Sequence, residues 1–215
     1  MQPIAQAIRA VFDNAATTAE SSKNCSGWRP TLDEWHPSLR TAADVCSRLI
    51  ADMERGEEPY WLTLTGDPGT GKTMLARQCF DFARANCNPG RVPIWLAGHG
   101  IRDEANRRPN CVWLTAPQFK DRMMGGEYDL PEYLRQDYLV VIDDLGAARD
   151  TGAAALADGI YRLADLRSHR WMIWTTNLAL DEISARLDGR ISSRMIRDDN
   201  KLVRISAPDY ALKPR

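Results

Sequence analysis

The chain has 215 residues, 28 of them basic and 29 acidic, for a formal charge of −1. That is one domain's worth of sequence, long enough to bury a substantial core, and it excludes a bulk polyelectrolyte binder, because contact with nucleic acid then needs local patches of Lys and Arg aligned on phosphates. Five cysteines (Cys25, Cys46, Cys79, Cys87, Cys111) without a C-x-x-C pair argue against a disulfide framework or a zinc site, and they fit a reducing, cytoplasmic setting with no signal peptide or membrane span.

In chain order, "QPIAQAIRAVFDN" carries Ile4, Ile8, Val11 and Phe12 at the spacing of a short amphipathic helix over residues 1–14. The small, polar residues 15–29 read as a linker, and a domain is expected over 30–215. A second helix starts near Pro37-Ser38 and puts Leu39, Cys46, Leu49, Ile50 and Met53 on one stripe. From there strand and helix alternate. "YWLTLT" is a strand running into a glycine-rich loop, with "TMLARQCFDFARAN" the helix behind it. Residues 88–110 form a long Gly/Pro-rich basic excursion with a candidate strand at "PIWLA". "CVWLT" is the next strand, followed by a helix over 117–124. "YLVVIDD" is continuously apolar, as a strand covered on both faces must be. Leu156, Ile160, Leu163 and Leu166 mark a helix, "WMIWTT" a strand, 187–199 a short helix and "KLVRIS" a last strand. This order predicts an α/β domain with a parallel sheet and helices on both faces.

"GDPGTGKT" matches G-x-x-x-x-G-K-[ST] and lies between a predicted strand and a predicted helix, as phosphate binding requires. Backbone N–H groups from Gly66, Asp67, Pro68, Gly69, Thr70, Gly71, Lys72, Thr73 and Met74 are the candidate cradle (Pro68 contributing only its turn), with the helix N-terminus adding partial positive charge. Lys72 is expected on the β- and γ-phosphates of ATP and the Thr73 hydroxyl on Mg²⁺. A chance glycine turn is the alternative. At the end of the apolar strand, Asp143 is placed to hold Mg²⁺ through water and Asp144 to orient the attacking water. Glu is common at the second position, and Asp is one methylene shorter, so slow turnover is expected. Asn177, ending the next strand, is a candidate γ-phosphate sensor; the alternative is an ordinary turn residue.

"LDGRISSRMIRDD" places Arg190 and Arg194 four apart on one helical face, with no evident acidic partner at helical spacing. They are either solvated surface arginines, some pairing with Asp198 and Asp199, or groups meant for another subunit.

Taken together, "PTLDEWHPSL", "GDPGTGKT", "VWLTAPQF", "YLVVIDDLG", "WMIWTTNL" and "RISSRM" resemble the AAA+ ATPases, and more narrowly the family of DnaC-type helicase loaders and IstB-type transposition helpers, over residues 30–212. The resemblance implies a three-layer P-loop NTPase sandwich without a C-terminal helical lid, ATP and Mg²⁺ as ligands, slow ATP hydrolysis, and side-by-side self-association. Arg194 becomes an arginine finger for the neighbouring subunit, with Arg190 supporting it. The implied role is loading a hexameric replicative helicase onto single-stranded DNA, with residues 1–14 docking on the helicase or packing on the chain's own core. The alternatives are a transposition helper that binds duplex DNA and a transposase, or a slowly hydrolysing nucleotide-gated adaptor.

One departure stands out. Where the family often has Tyr-Arg, Tyr210 is followed by Ala211, so a second sensor is vacant or passes to Lys213 or Arg215. Candidate DNA contacts are Lys120 and Arg122 with Phe119 as a stacking group, and Arg102, Arg107 and Arg108 in the excursion. His36, His99 and His169 form no ligand spacing.

Overall fold

The computed structural model describes residues 35–86, 111–135, 137–146 and 153–210. Residues 1–29, the excursion with its candidate strand at 93–97 and with Arg102, Arg107 and Arg108, and Ala211, Lys213 and Arg215 lie outside the described residues.

The first element is helix α1 (Pro37–Arg55), where proline occupies the first turn and the His36 ring accepts from the Ser38 N–H; Gly56 closes it in the left-handed conformation at φ 69°. Strand β1 (Trp61–Gly66) leads into the glycine loop and helix α2 (Lys72–Asn86). Strand β2 (Cys111–Thr115) turns at once into α3 (Ala116–Met124), started by a reciprocal cap between Thr115 and Gln118. A short helix α4 (Leu130–Leu134) precedes β3 (Leu139–Leu145); α5 (Ala153–Leu166), β4 (Trp171–Thr176), α6 (Leu180–Arg186), α7 (Gly189–Met195) and β5 (Lys201–Ile205) follow.

The five strands are all parallel, in the order β2-β3-β4-β1-β5. Period-2 alternation divides their apolar residues between two cores. Leu62, Leu64, Leu139, Val141, Trp171 and Ile173 face α1 and α2, while Trp61, Val140, Ile142, Met172 and Trp174 face α3 to α7. The result is the expected three-layer sandwich, and no helical lid follows β5 among the described residues.

Two helices, α4 and α6, were not legible in the sequence. Helix α4 has five residues, too few for a periodic signal, and tertiary contacts hold it. The Arg167 guanidinium is wholly buried and donates to the carbonyls of Leu134 at 2.6 Å, Asp137 at 3.0 Å and Trp171 at 2.7 Å, tying the end of α4 to the starts of β3 and β4. Helix α5 approaches α3 closely at Gly159, where a Cβ would stand 2.9 Å from the Phe119 ring.

Candidate nucleotide site

The loop between β1 and α2 opens at the carboxyl end of the sheet, beside the ends of β3 and β4. In the order β3-β4-β1 the acidic strand and the loop flank β4, so three separate segments of sequence converge there. The Lys72 ammonium is buried and donates to the carbonyls of Gly66 at 2.8 Å and Asp67 at 2.7 Å, while Thr70 donates its hydroxyl to Asp67 at 2.8 Å. Burial lowers the Lys72 pKa, and the negative charges of Asp144, Asp67 and Asp143 oppose that drop. The lysine is thus a cation resting on its own loop's carbonyl dipoles, within one side chain's swing of any phosphate the loop cradles.

The acidic pair sits at an irregularity in the β3–β4 ladder, between Ile142 and Leu145. A break of this kind re-aims side chains, and here it gives the two neighbours different environments. One Asp143 oxygen accepts from Thr73 at 2.9 Å and from Thr175 at 2.5 Å. Asp144 has φ 59°, which strains a residue with a Cβ. Its backbone N–H donates to the Thr175 hydroxyl at 2.8 Å, and its carboxylate accepts from the Asn177 amide at 3.1 Å. Thr175, fully buried, therefore holds both acids at once, accepting from one backbone and donating to the other carboxylate. Motif spacing did not single it out. Thr176, the second threonine of "TT", donates to the Leu145 carbonyl at 2.6 Å.

Mg²⁺ suits this arrangement. Among the described residues no group of three or more His, Cys, Asp and Glu side chains is placed to hold a metal, but Mg²⁺ bound with a nucleotide takes one or two protein oxygens and completes its shell with phosphate and water. The Thr73 hydroxyl and the Asp143 carboxylate, already in contact, supply such a pair.

A third segment closes on the loop from far along the chain. The Tyr210 N–H donates to the Gly69 carbonyl at 3.2 Å, and its hydroxyl accepts from the His36 N–H at 2.9 Å. Gly69 has φ 74°, and a Cβ there would stand 1.9 Å from an Asp209 carboxylate oxygen. A Cβ there would be strained at that φ and would displace the Asp209 carboxylate. These contacts span more than 130 residues, so no local pattern announces them.

No family model matches the chain, and no curated protein matches it by sequence. Solved structures do. A DnaC helicase loader is 19% identical with a TM-score of 0.57, covering 83% of this chain and 94% of that one. DnaI is 18% identical with a TM-score of 0.55, covering 85% and 90%. The replication initiator DnaA bound to AMPPCP and single-stranded DNA is 15% identical with a TM-score of 0.59; 82% of this chain aligns, across only 49% of that one. The chain has the AAA+ P-loop NTPase fold. The likeness extends over nearly the full length of the DnaC helicase loader and DnaI structures and about half of the initiator.

On that AAA+ fold, the arginines are less solitary than their spacing suggested. Arg190 donates to the Asp188 carboxylate from Nε at 3.1 and 3.2 Å and from a terminal nitrogen at 2.8 Å. Arg194 donates to Asp165 on α5 at 2.7 Å. The partners are thus Asp188 and Asp165, neither of them Asp198 or Asp199. Asp188 also caps α7, accepting from the Arg190 N–H, and the Arg190 hydrogen bonds hold its carboxyl down at about 2. Both guanidinium groups lie over the Tyr161 ring, at 4.0 Å for Arg190 and 5.3 Å for Arg194. Neither touches the phosphate loop or acidic pair of its own chain.

The candidate stacking group Phe119 is corrected by its burial: it is 0% exposed and packs in the second core. Truncating such a ring costs about 3–5 kcal/mol, so its role is packing. Nearby Arg122 is paired with Glu127, and Lys120 lies near Asp121. The exposed aromatics of this edge are Tyr128 and Tyr133, at 64% and 71% exposure, which the sequence reading passed over.

Among the described residues no helix is long and apolar enough to cross a membrane.

Proposed function

We propose that this chain is an ATP-hydrolysing loader of a hexameric replicative DNA helicase, acting on single-stranded DNA as a side-by-side assembly of AAA+ subunits. The observation that carries the reading is that the loop, Lys72, Thr73, Asp143, Asp144 and Asn177 converge, while Arg190 and Arg194 pair with Asp188 and Asp165 and hydrogen-bond to none of those groups. Among the described residues, the site then lacks an arginine of its own chain. Length and fold shared with the DnaC and DnaI loaders support the choice of function.

In this reading Lys72 leaves the Gly66 and Asp67 carbonyls for the β- and γ-phosphates of ATP, exchanging dipoles for full charges. Thr73 and Asp143 would hold Mg²⁺, which when bound would neutralise charge on the phosphates. Asp144 orients the attacking water, with Asn177 fixing the carboxylate from behind. Arg194 of the next subunit supplies positive charge to the transferring phosphoryl group, and Arg190 supports it. Single-stranded DNA runs past Lys120 and Arg122, with Tyr128 and Tyr133 offering faces for bases. Residues 1–14 dock on the helicase as an amphipathic helix.

The test is a mixing experiment. Arg194→Ala should bind ATP normally, yet its assemblies should lose turnover by up to about 10³-fold. Lys72→Ala should neither bind nor hydrolyse ATP. Mixed, the two should recover activity, because an intact site then faces an intact arginine. Failure to recover at every ratio, with monomeric behaviour in ATP, would return the arginines to surface charge. Retention of the purified helicase by the full chain, and its loss on deleting residues 1–14 without a change in melting temperature, tests the partner.

A further inference from the structure

We infer that Tyr161 is a positioning residue for the arginine that acts in trans; the inference rests on the proposed role of Arg194. The two guanidinium groups share one aromatic face. Tyr161 projects from α5 and packs its apolar part against the second core, so the ring is anchored from below. Arg190 stacks nearest, at 4.0 Å, and is locked by several hydrogen bonds to Asp188, which is itself fixed as the cap of α7. Arg194 lies on the same ring at 5.3 Å, and its one carboxylate partner, Asp165, is 61% exposed.

The difference between the two tethers gives each group its part. Several hydrogen bonds to a carboxylate fixed at a helix cap hold Arg190, although its side chain is 65% exposed. Arg194 is only 22% exposed, but it is tethered by a single hydrogen bond to a carboxylate standing in water, the weaker of the two tethers, so Asp165 can surrender it to a phosphoryl group. A free arginine would then lose much rotamer freedom on reaching its target. The Tyr161 face removes part of that loss, because a guanidinium resting on an aromatic plane is already confined to a slab. Arg190 forms the wall, Asp165 the releasable latch, and Tyr161 the floor. Tyr161 touches no substrate atom, and it acts only through Arg194.

Steady-state ATP hydrolysis by the assembled full-length chain tests this. Tyr161→Leu removes the face and keeps an apolar group of usable size; Tyr161→Phe keeps the face. The leucine variant should lose about tenfold in kcat with KM and calorimetric ATP affinity unchanged, and phenylalanine should stay within about twofold of wild type. Mixing Tyr161→Leu with Lys72→Ala should restore turnover, since the intact site of the first then meets the intact arginine floor of the second. A packing defect alone gives no such rescue. Equal losses in the leucine and phenylalanine variants, or no rescue on mixing, would overturn the inference. So would an unchanged kcat in Tyr161→Leu beside a lost one in Arg194→Ala. Wild-type turnover by Arg194→Ala removes the trans-acting arginine itself, a separate failure. Should the leucine variant not fold, Tyr161→Met carries the same comparison.

Discussion

Replacing Thr175 by valine removes one hydroxyl and leaves the volume nearly unchanged, so no cavity term enters. The hydroxyl makes two bonds in a site that is 1% exposed: it donates to Asp143 at 2.5 Å and accepts from the Asp144 N–H at 2.8 Å. In the variant the Asp144 N–H loses its acceptor, at a cost of about 1–3 kcal/mol for a buried unsatisfied donor. Asp143 loses one donor but keeps Thr73, so its share is smaller, about 1 kcal/mol. A total near 2–4 kcal/mol in a chain of this size lowers Tm by about 5–15 °C. Thr175→Ser keeps both bonds and should cost only about 1 kcal/mol for its missing methyl. A second effect follows from the backbone. Asp144 is held at φ 59°, a conformation costing about 1–2 kcal/mol, and the Thr175 bond is one of its restraints. Released, Asp144 relaxes and carries its carboxylate away from Asn177, so turnover should fall further than ATP affinity. Thermal melts, calorimetric titration with Mg·ATP and steady-state hydrolysis on both variants check this. Equal stability of the valine and serine variants, or a valine variant with wild-type turnover, would refute the bridging role of Thr175.

Asp144→Asn should keep ATP bound while stopping hydrolysis, because Asp143 and its threonines are untouched; its melting temperature should be unchanged or higher, since a charge repelling Asp143 is gone. Wild-type hydrolysis in this variant would remove Asp144 from the mechanism. Gly69→Ala puts a methyl 1.9 Å from the Asp209 carboxylate at φ 74°, and should lose about 2 kcal/mol or more of stability, read by urea denaturation, with weakened nucleotide binding; an alanine variant as stable as wild type would mean that the contact with Asp209 gives way freely. Asp188 is held at about 2, below its unfolded value of about 3.9, so its contribution is present above pH 4 and disappears as pH falls toward about 2. Asp188→Asn keeps the cap acceptor and removes only the charge, so it should melt below wild type at neutral pH and converge on it as pH falls toward about 2; a gap that persists there would mean that the charge does not carry the stabilisation.

Sequence alone was enough for the contiguous elements that frame the candidate site. Strand, glycine loop, Lys72 and Thr73 lie within thirteen residues, and a motif that short carries its own geometry because the backbone leaves little choice. The same holds for the apolar run ending in Asp143, since a strand covered on both faces must read as continuous, and for the stripe on α1, whose Leu39, Cys46, Leu49 and Met53 are buried and whose Ile50 is half-buried. Short elements held by distant partners were silent. Helix α4 depends on Arg167, thirty-three residues beyond Leu134, and α6 has seven residues. Periodicity also could not say which face of α3 turned inward, and Phe119 went to the core; Tyr128 and Tyr133, beyond α3, stayed out.

What tertiary structure alone decided is how groups far apart in the chain restrain one another. Thr175 bridges two acids thirty-odd residues away, Tyr210 bonds both to Gly69 and to His36, the latter 174 residues back, and Tyr161 and Asp165 receive arginines from another helix. A spacing rule sees only neighbours along a turn or a strand. The partners of Arg190 and Arg194 were missed for that reason: Asp188 precedes its helix as a cap, and Asp165 stands twenty-nine residues back, brought near only when α5 and α7 pack on the same face of the sheet.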